Sequence, residues 1–260
     1  MCTIPADMKW SFSKLQLYDQ CPEAFKLQYI DKLPLEQNAY AEYGTHCHSI
    51  LERWAKGELM SFELADVYTA GYGESVRHYF PPFPHGLAGK YYDEGLEYFK
   101  SFDGFGDQYE ILSVEDRFEI GIRGNCFVGV ADLVLRDRNT SEITVIDHKS
   151  KSMQSLKKKL FENTRQLYTY AAYVKERFGE YPSMLRFNMF RYGKFVDEPF
   201  SMDRYNETMD WIERTIDGIR SDKDWFVSSS GYFCKFICST RDHCPIGQEI
   251  IHSNERSTPS

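Results

Sequence analysis

The chain has 260 residues, of which 42% are hydrophobic and 16% aromatic, enough to build a substantial core. Its net charge of −8 argues against the basic character that is typical of nucleic-acid-binding proteins. No apolar stretch approaches the roughly 20 residues of a membrane helix, and the first ten residues lack a basic region followed by an apolar run. We therefore expect a protein of the cytoplasm with no membrane partner.

The N-terminal part of the chain is predicted to be helical. The pattern over 11–30 indicates two short helices, and Ser11 or Ser13 can cap the first of them. A further helix is predicted over 44–59. Residues 60–105 are rich in aromatic residues and mainly helical in pattern, and we interpret them as a helical insertion.

Strand patterns follow the insertion. Three candidates in succession, 109–120, 126–136 and 142–149, are joined by turn-like residues and predict an antiparallel meander. A helix with Thr164 as a possible cap comes next, and then a strand and an amphipathic helix. These last three elements are predicted at 164–178, 184–192 and 205–219.

This order of elements predicts an α/β fold with a mixed sheet. We expect a single domain over 1–248 that contains the 60–105 insertion. The cysteine-rich segment 231–245 is expected to pack near Cys21, and the polar residues 249–260 are expected to form a frayed tail.

Acidic residues occur in two of the predicted strands. Asp132 lies in an apolar strand, where a charge is costly unless it is paired, for example with Arg136 or Arg123, or binds a metal. Asp147 ends the next strand, and Lys149 lies on the same face two positions later. If the strands are neighbours, the carboxylates converge and can bind a divalent cation. The alternative is a salt-bridged strand end.

Histidine on the 44–59 helix offers a further ligand. His48 and Glu52 lie four residues apart and therefore on one helix face. A neutral imidazole can bind a metal, although a helical histidine often has a structural role instead. His46 is the competing histidine, and it lies about 200° around the helix from His48.

A lysine-rich segment precedes the helix at 164–178. Residues 148–160 contain five lysines and no acid, so they form either a phosphate-binding strip or a solvated loop. On the following helix, Gln166 and Tyr170 lie one turn apart and can contact a nucleic acid. Core packing is the alternative for this aromatic helix face.

Three cysteines are clustered near the C-terminus with the spacing C-x3-C-x5-C. Cys234, Cys238 and Cys244 suggest a soft-metal site. Zinc and iron–sulfur sites usually take four thiolates, and Cys21 is the candidate for the fourth, with His243 as another possible ligand. Three unrelated thiols are the alternative.

Together, these motifs resemble the PD-(D/E)XK nuclease superfamily. The resemblance is to its RecB-like branch, and within it to the four-cysteine exonucleases of CRISPR-associated and phage-encoded type. It extends over about 11–245 apart from the 60–105 insertion. It implies a restriction-endonuclease-like core, in which helices flank a mixed central sheet, with the helical insertion and a cysteine-bound cluster region added.

The resemblance also implies roles for individual residues. The metal ligands would be His48, Asp132, Asp147 and the backbone carbonyl of His148. The catalytic group would be Asp132, Asp147, Lys149 and Gln166. Substrate would be bound by Gln166, Tyr170 and Lys151. Two further acids are weaker candidates for the site, Glu52 and Glu115.

The implied cofactors are Mg²⁺ or Mn²⁺ and a [4Fe–4S] cluster on Cys21, Cys234, Cys238 and Cys244, with zinc as an alternative. The C-x3-C spacing departs from the family's C-x2-C. The implied activity is that of a DNA exonuclease on single strands or ends, in recombination, repair or phage replication, with a possible recombination or helicase partner. The alternatives are a DNA-binding protein without catalysis, a structural zinc protein and, least favoured, a thiol hydrolase using Cys47 or Cys126.

Overall fold

The structure is a computed structural model that describes residues 4–5, 7–228 and 231–249. The α-helices are α1 (Phe12–Gln20), α2 (Pro22–Phe25), α3 (Ala39–Ala55), α4 (Leu64–Ser75), α5 (Leu87–Ser101), α6 (Met153–Lys158), α7 (Leu160–Phe178), α8 (Met202–Ser221) and α9 (Gly231–Phe236). The strands are β1 (Tyr109–Ile122), β2 (Asn125–Asp137), β3 (Ile143–His148), β4 (Met184–Met189) and β5 (Lys194–Pro199). Of the predicted tail, 250–260 lies outside the described residues. Within the described ranges, every helix is too short or too polar to cross a membrane.

The five strands form one mixed sheet in the order β1-β2-β3-β4-β5. All neighbouring pairs are antiparallel except β3 and β4, which are parallel. A parallel pair needs a crossover connection, and α6 and α7 supply it between these two strands. The predicted mixed sheet flanked by helices is therefore confirmed.

The main hydrophobic core lies between one face of the sheet and helices α1, α7 and α8. Leu167 and Val174 of α7 pack there with Ile212 and Ile216 of α8, and all four side chains are completely buried. Burying one such side chain stabilises the fold by about 1.5–3 kcal/mol. This core fixes α7 against the strands that carry the acidic residues.

A second cluster joins α3 to the helices of the predicted insertion, α4 and α5. It is built largely from aromatic side chains, among them Tyr43, Tyr68 and Phe190. Gly95 of α5 allows the close approach, because a Cβ at this position would lie 2.5 Å from Tyr68 Oη and 2.7 Å from Tyr43 Oη. The insertion therefore packs on the helix that carries His48.

The structure corrects two predicted helix starts. The helix predicted over 44–59 begins at Ala39, because the side chain of Asn38 accepts a hydrogen bond from the backbone of Ala41 and caps it. Thr164 is not a cap, since α7 begins at Leu160 and Thr164 lies inside it.

Two further elements differ from the sequence prediction. The lysine-rich segment is not simply a loop, because Ser152 caps the short helix α6 within it. The strand predicted at 184–192 ends at Met189, and a turn at Gly193, with φ of 55°, leads into β5, which the sequence pattern did not indicate. The strand is short and half exposed, so it lacks the apolar run used to recognise the others.

Candidate metal and nuclease site

Three neighbouring strands bring acidic residues into one row across the sheet. Leu133 pairs with Ile146, so Asp132 and Asp147 lie opposite each other one position further on. On the other side, the register between β1 and β2 places Glu115 opposite Asp132. Opposite residues on neighbouring strands have Cβ atoms about 4.5–5.5 Å apart. The row therefore concentrates three carboxyl groups at one place.

Asp132 and Asp147 are both buried, with 8% and 1% of their surface exposed. Asp132 Oδ2 accepts a 2.7 Å hydrogen bond from the backbone N–H of His148. The arginines considered as its partners lie elsewhere, since Arg136 pairs with Glu180 and Arg123 with Asp210. The pairing of Asp132 with Arg136 or Arg123 is therefore wrong.

His48 on α3 faces this row of acids. Its Nδ1 lies 3.6 Å from Asp132 Oδ2 and 3.7 Å from Glu115 Oε1. Its Nε2 lies 2.9 Å from the carbonyl oxygen of His148. A carbonyl can only accept, so Nε2 carries a proton and Nδ1 is the atom directed at the carboxylates. The competing His46 is buried in the insertion core, where its Nε2 lies 3.0 Å from the carbonyl oxygen of Tyr68.

His48, Glu115 and Asp132 offer ligand atoms that all lie within 4.8 Å of one another. Glu115 has a φ of +46°, a left-handed conformation that is rare for residues other than glycine and asparagine. Strained backbone of this kind is concentrated at functional sites. Asp147 is outside this 4.8 Å set, and Glu52 forms a 2.5 Å ion pair with Lys56 instead.

The electrostatics of the row suit a cation. Burial and the negative charge of Asp147 raise the pKa of Asp132 to about 7. Burial lowers the pKa of His48, but the Glu115 carboxylate and the charges of Asp132 and Asp147 outweigh it, so the pKa is raised overall. Both shifts show that the site favours positive charge. One imidazole and several carboxylate oxygens suit Mg²⁺ or Mn²⁺, so these residues fit a divalent metal.

Lys149 connects the row of acids to α7. Its Nζ lies 2.6 Å from Asp147 Oδ2 and donates a 2.7 Å hydrogen bond to Gln166 Oε1. The contact with Asp147 is close, but it lacks the angles of a hydrogen bond, so this oxygen has no hydrogen-bond partner among the described residues. Gln166 Nε2 donates a further 2.7 Å bond to Tyr170 Oη. The sequence-predicted residues Asp147, Lys149, Gln166 and Tyr170 therefore form one connected series.

Two clefts open beside this site and meet at Phe12 and Ser13. The first, of about 660 Å³, is lined by Asp132, Gln166 and Tyr170. The second, of about 550 Å³, is lined by the basic side chains Lys151, Lys159 and Arg165, by the acids Asp19 and Glu162, and by aromatic rings such as Tyr29 and Trp211. We call the second one the basic groove.

Lys151 is held where the site meets the basic groove. Its Nζ donates a 2.7 Å hydrogen bond to Asn163 Oδ1. Burial and the nearby charge of Lys149 lower the pKa of Lys151 to about 8. Its ammonium is therefore fixed and still mostly charged at neutral pH.

Two residues that we did not predict support the site from β4 and the turn after it. Asn188 is fully buried, and its Nδ2 lies 3.0 Å from His148 Nδ1 and 2.8 Å from Tyr98 Oη. Arg191 is buried as well and contacts the segment after Lys149. The sequence contained a sign of both residues, because each interrupts an otherwise apolar strand pattern. A polar side chain in such a pattern is costly to bury without partners, so partners for it could have been expected.

The four predicted cysteines line one small cavity between α2 and the C-terminal segment. Cys21, Cys234, Cys238 and Cys244 are each buried, with at most 8% of their surface exposed. Within the described chain, no three cysteine sulfurs lie within 4.8 Å of one another. In a tetrahedral zinc site the sulfurs are about 3.8 Å apart, because each Zn–S bond is about 2.3 Å. The arrangement of these sulfurs therefore supports neither a closed zinc site nor the expected iron–sulfur cluster.

Comparison with family models agrees with the geometry. A family model described as the PD-(D/E)XK nuclease superfamily matches residues 9–245. A solved structure, described as the crystal structure of SSO0001, has 18% identity to the chain, covering 94% of this chain and 89% of that one, with a TM-score of 0.38. None of the curated proteins matches the chain.

Proposed function

Because the chain belongs to the PD-(D/E)XK nuclease superfamily, we propose that it is a metal-dependent deoxyribonuclease, an exonuclease that acts on single strands or DNA ends. One observation carries this proposal. The ligand atoms of His48, Glu115 and Asp132 converge within 4.8 Å of one another, beside the pair formed by Asp147 and Lys149.

The metal would be held by His48, Glu115 and Asp132, with Asp147 and the carbonyl oxygen of His148 beside them. Bound there, Mg²⁺ or Mn²⁺ would polarise the scissile phosphate and lower the pKa of a bound water. A proton on Nδ1 of His48 or on the Asp132 carboxyl must leave before that atom can bind the metal. The raised pKa values of both groups make this exchange of protons for metal part of the binding step.

Lys149 is the cation for the reacting phosphate. Asp147 and Gln166 hold its ammonium from two sides, so the group is oriented before substrate arrives. Charge that builds on the phosphate oxygens in the transition state would be offset by this ammonium, and fixed charges of this kind cost no reorganisation during the reaction. Gln166 and Tyr170 line the cleft beside Asp132, where the substrate would bind.

The basic groove would bind the DNA strand next to the scissile phosphate. Lys151 and Lys159 supply charge for the backbone, while aromatic rings such as Tyr29 lie in the same groove. Stacking of bases on aromatic side chains and ion pairs with phosphates are the usual means of binding single strands without sequence preference. The groove lining carries three cations against two carboxylates, so it is less acidic than the chain as a whole, whose net charge is −8.

The test is cleavage of end-labelled single-stranded DNA, with Mg²⁺ or Mn²⁺, by the wild type and Asp147→Ala prepared anaerobically. We expect cleavage by the wild type, loss of cleavage in the variant, and a product ladder that reveals the polarity. A folded wild type that binds DNA without cutting it would identify a DNA-binding protein of the same fold. Cleavage by Asp147→Ala at the wild-type rate would contradict the assigned site.

The cysteines would hold a [4Fe–4S] cluster with a structural role. What supports this proposal is that four buried thiols line one cavity, since such clusters are held by four cysteine thiolates. Such a cluster would tie the junction of α1 and α2 to the C-terminal segment, as structural metals tie other small folds. Equal amounts of iron and acid-labile sulfide in the anaerobic protein, lost in Cys238→Ser, are expected. One zinc per chain and no sulfide would contradict the cluster.

A further inference from the structure

The insertion contacts the active-site segment through one buried arginine. Arg191 follows β4 and is 5% exposed. Its Nε and Nη2 donate hydrogen bonds of 2.9 and 2.5 Å to Glu94 Oε2 on α5. Its Nη1 donates a 3.0 Å bond to the carbonyl oxygen of Ser150, and its Cζ lies 3.4 Å from the centre of the Tyr91 ring.

Ser150 is the residue after Lys149, so this contact fixes the backbone that carries the ammonium. The N–H of Lys149 is held separately by the carbonyl oxygen of Asn188, at 2.9 Å. The N–H of Lys149 and the carbonyl group of the next residue, Ser150, are therefore attached to β4 and the turn that follows it. Little freedom remains for the direction of the Lys149 side chain.

A second contact runs from the same helix to the preceding residue. Asn188 Nδ2 lies 2.8 Å from Tyr98 Oη of α5 and 3.0 Å from His148 Nδ1. Helix α5 thus reaches His148 through Asn188 and Ser150 through Arg191. Both contacts end on the segment that presents Lys149.

A buried ion pair often adds little stability, since the loss of hydration offsets the attraction of the charges. Glu94 and Arg191 are therefore better explained by the geometry that they impose than by the stability of the fold. We propose that Arg191 is a positioning residue: Glu94 of the insertion fixes its guanidinium, which fixes Ser150 and thereby aims Lys149 at the reacting phosphate. This inference rests on the proposed nuclease function and makes the insertion part of the active site.

The matched control lies on β4, shortly before Arg191 in the chain. Arg186 forms two 2.7 Å hydrogen bonds to Asp197, and its Cζ lies 4.6 Å from the Phe195 ring centre. It therefore has the same kind of acidic and aromatic partners as Arg191, but its contacts are on β5, away from Ser150. Replacing Arg186 removes a comparable set of contacts without touching the segment that carries Lys149.

The experiment compares kcat and KM for single-stranded DNA in Arg191→Met, Glu94→Gln, the double variant and Arg186→Met, all well below their unfolding temperatures. We expect kcat to fall about 10- to 100-fold in Arg191→Met with KM changed less than about twofold, because displacements near 1 Å cost about this much. Glu94→Gln should lower kcat less, and the double variant should be no worse than Arg191→Met. Arg191→Lys should recover part of the loss, and Arg186→Met should keep the wild-type kcat.

A second measurement does not depend on activity. Amide hydrogen exchange in peptides covering 147–152 should be faster in Arg191→Met than in the wild type, and unchanged in Arg186→Met. Unchanged exchange, or a loss of kcat equal to that of Arg186→Met, would overturn the inference. If the wild type does not cleave DNA, the proposed function fails, while the exchange comparison still decides whether Arg191 holds the segment.

Discussion

Lys149 Nζ lies 2.6 Å from Asp147 Oδ2, two residues earlier in the chain. The sequence offered two interpretations of this pair, a salt-bridged strand end or an active site, and the geometry shows that they are compatible. The ion pair keeps the ammonium beside the row of acids, and Gln166 fixes it from the other side. An ion pair of this kind can therefore orient the group that we propose to act on substrate.

Replacing Lys149 by Met should abolish most cleavage while leaving DNA binding nearly intact. Removing one fixed charge-stabilising group typically costs about 10²- to 10³-fold in kcat. Lys151→Met is the matched control, because Lys151 is bonded to Asn163 rather than to Asp147. It should weaken DNA binding and retain kcat. Single-turnover cleavage with bound DNA measures the difference, and equal rates for the two variants would contradict the role of Lys149.

Glu115→Gln should weaken Mn²⁺ binding by at least about tenfold. Replacing a residue that only holds a metal ligand in place already costs about this much affinity, and Glu115 is proposed as a ligand itself. Glu52→Gln should leave the affinity unchanged, because Glu52 pairs with Lys56 on the exposed side of α3. Isothermal titration calorimetry of the metal-free protein measures both. Retention of wild-type affinity in Glu115→Gln would exclude this carboxylate as a ligand.

The metal-free protein should lose stability as the pH rises from about 5 to 7. The pKa of Asp132 is raised to about 7 in the folded state, against about 3.9 in the unfolded chain. The folded state therefore holds the proton over this range while the unfolded chain does not, so rising pH favours unfolding until the folded carboxyl also ionises near pH 7. The raised pKa of His48 adds a further loss above about pH 6.5, the value in the unfolded chain, because the folded state still holds its proton there.

Urea unfolding in EDTA at pH 5.5 and 7.5 measures this loss. For the wild type, we expect the free energy of unfolding to fall by up to about 2 kcal/mol, which is 1.36 kcal/mol for each pH unit between 5.5 and 7. The fall should be smaller in Asp132→Asn. Saturating Mn²⁺ should reverse the trend, because deprotonated ligands bind the metal more tightly. Equal pH dependence in the wild type and the variant would show that Asp132 is not the titrating group.

Much of the fold could be predicted because periodicity and burial agree in its main elements. The apolar runs of β2 and β3 and the amphipathic stripe of α8 correspond to elements that pack on one core. β5 was missed because a short strand exposed on one side has no such run. The start of α7 was misplaced because a threonine such as Thr164 can fit either a cap or a buried helix position.

The candidate site was predictable where charge interrupts an apolar strand, as at Asp132 and Asp147. Glu115 was only a weak candidate, because its place in the cluster depends on a φ of +46° that its sequence does not indicate. Glu52 was chosen because it lies four residues after His48 on the same helix. The acids that actually face His48 lie on strands β1 and β2, which spacing along one helix cannot reveal. Arg191 and Glu94 are far apart in sequence, so only the folded chain brings them together.

Lys159→Ala should weaken the binding of single-stranded DNA and lower its salt dependence. Lys159 is exposed and lines the basic groove next to the site. Each phosphate contact releases condensed counterions, so losing one should reduce the slope of log K against log salt by about 0.7 for a single strand. Lys194→Ala is the control, because Lys194 is an exposed lysine at the start of β5, outside the groove lining. Fluorescence anisotropy at several salt concentrations measures both variants, and equal slopes for the two would place the DNA strand elsewhere.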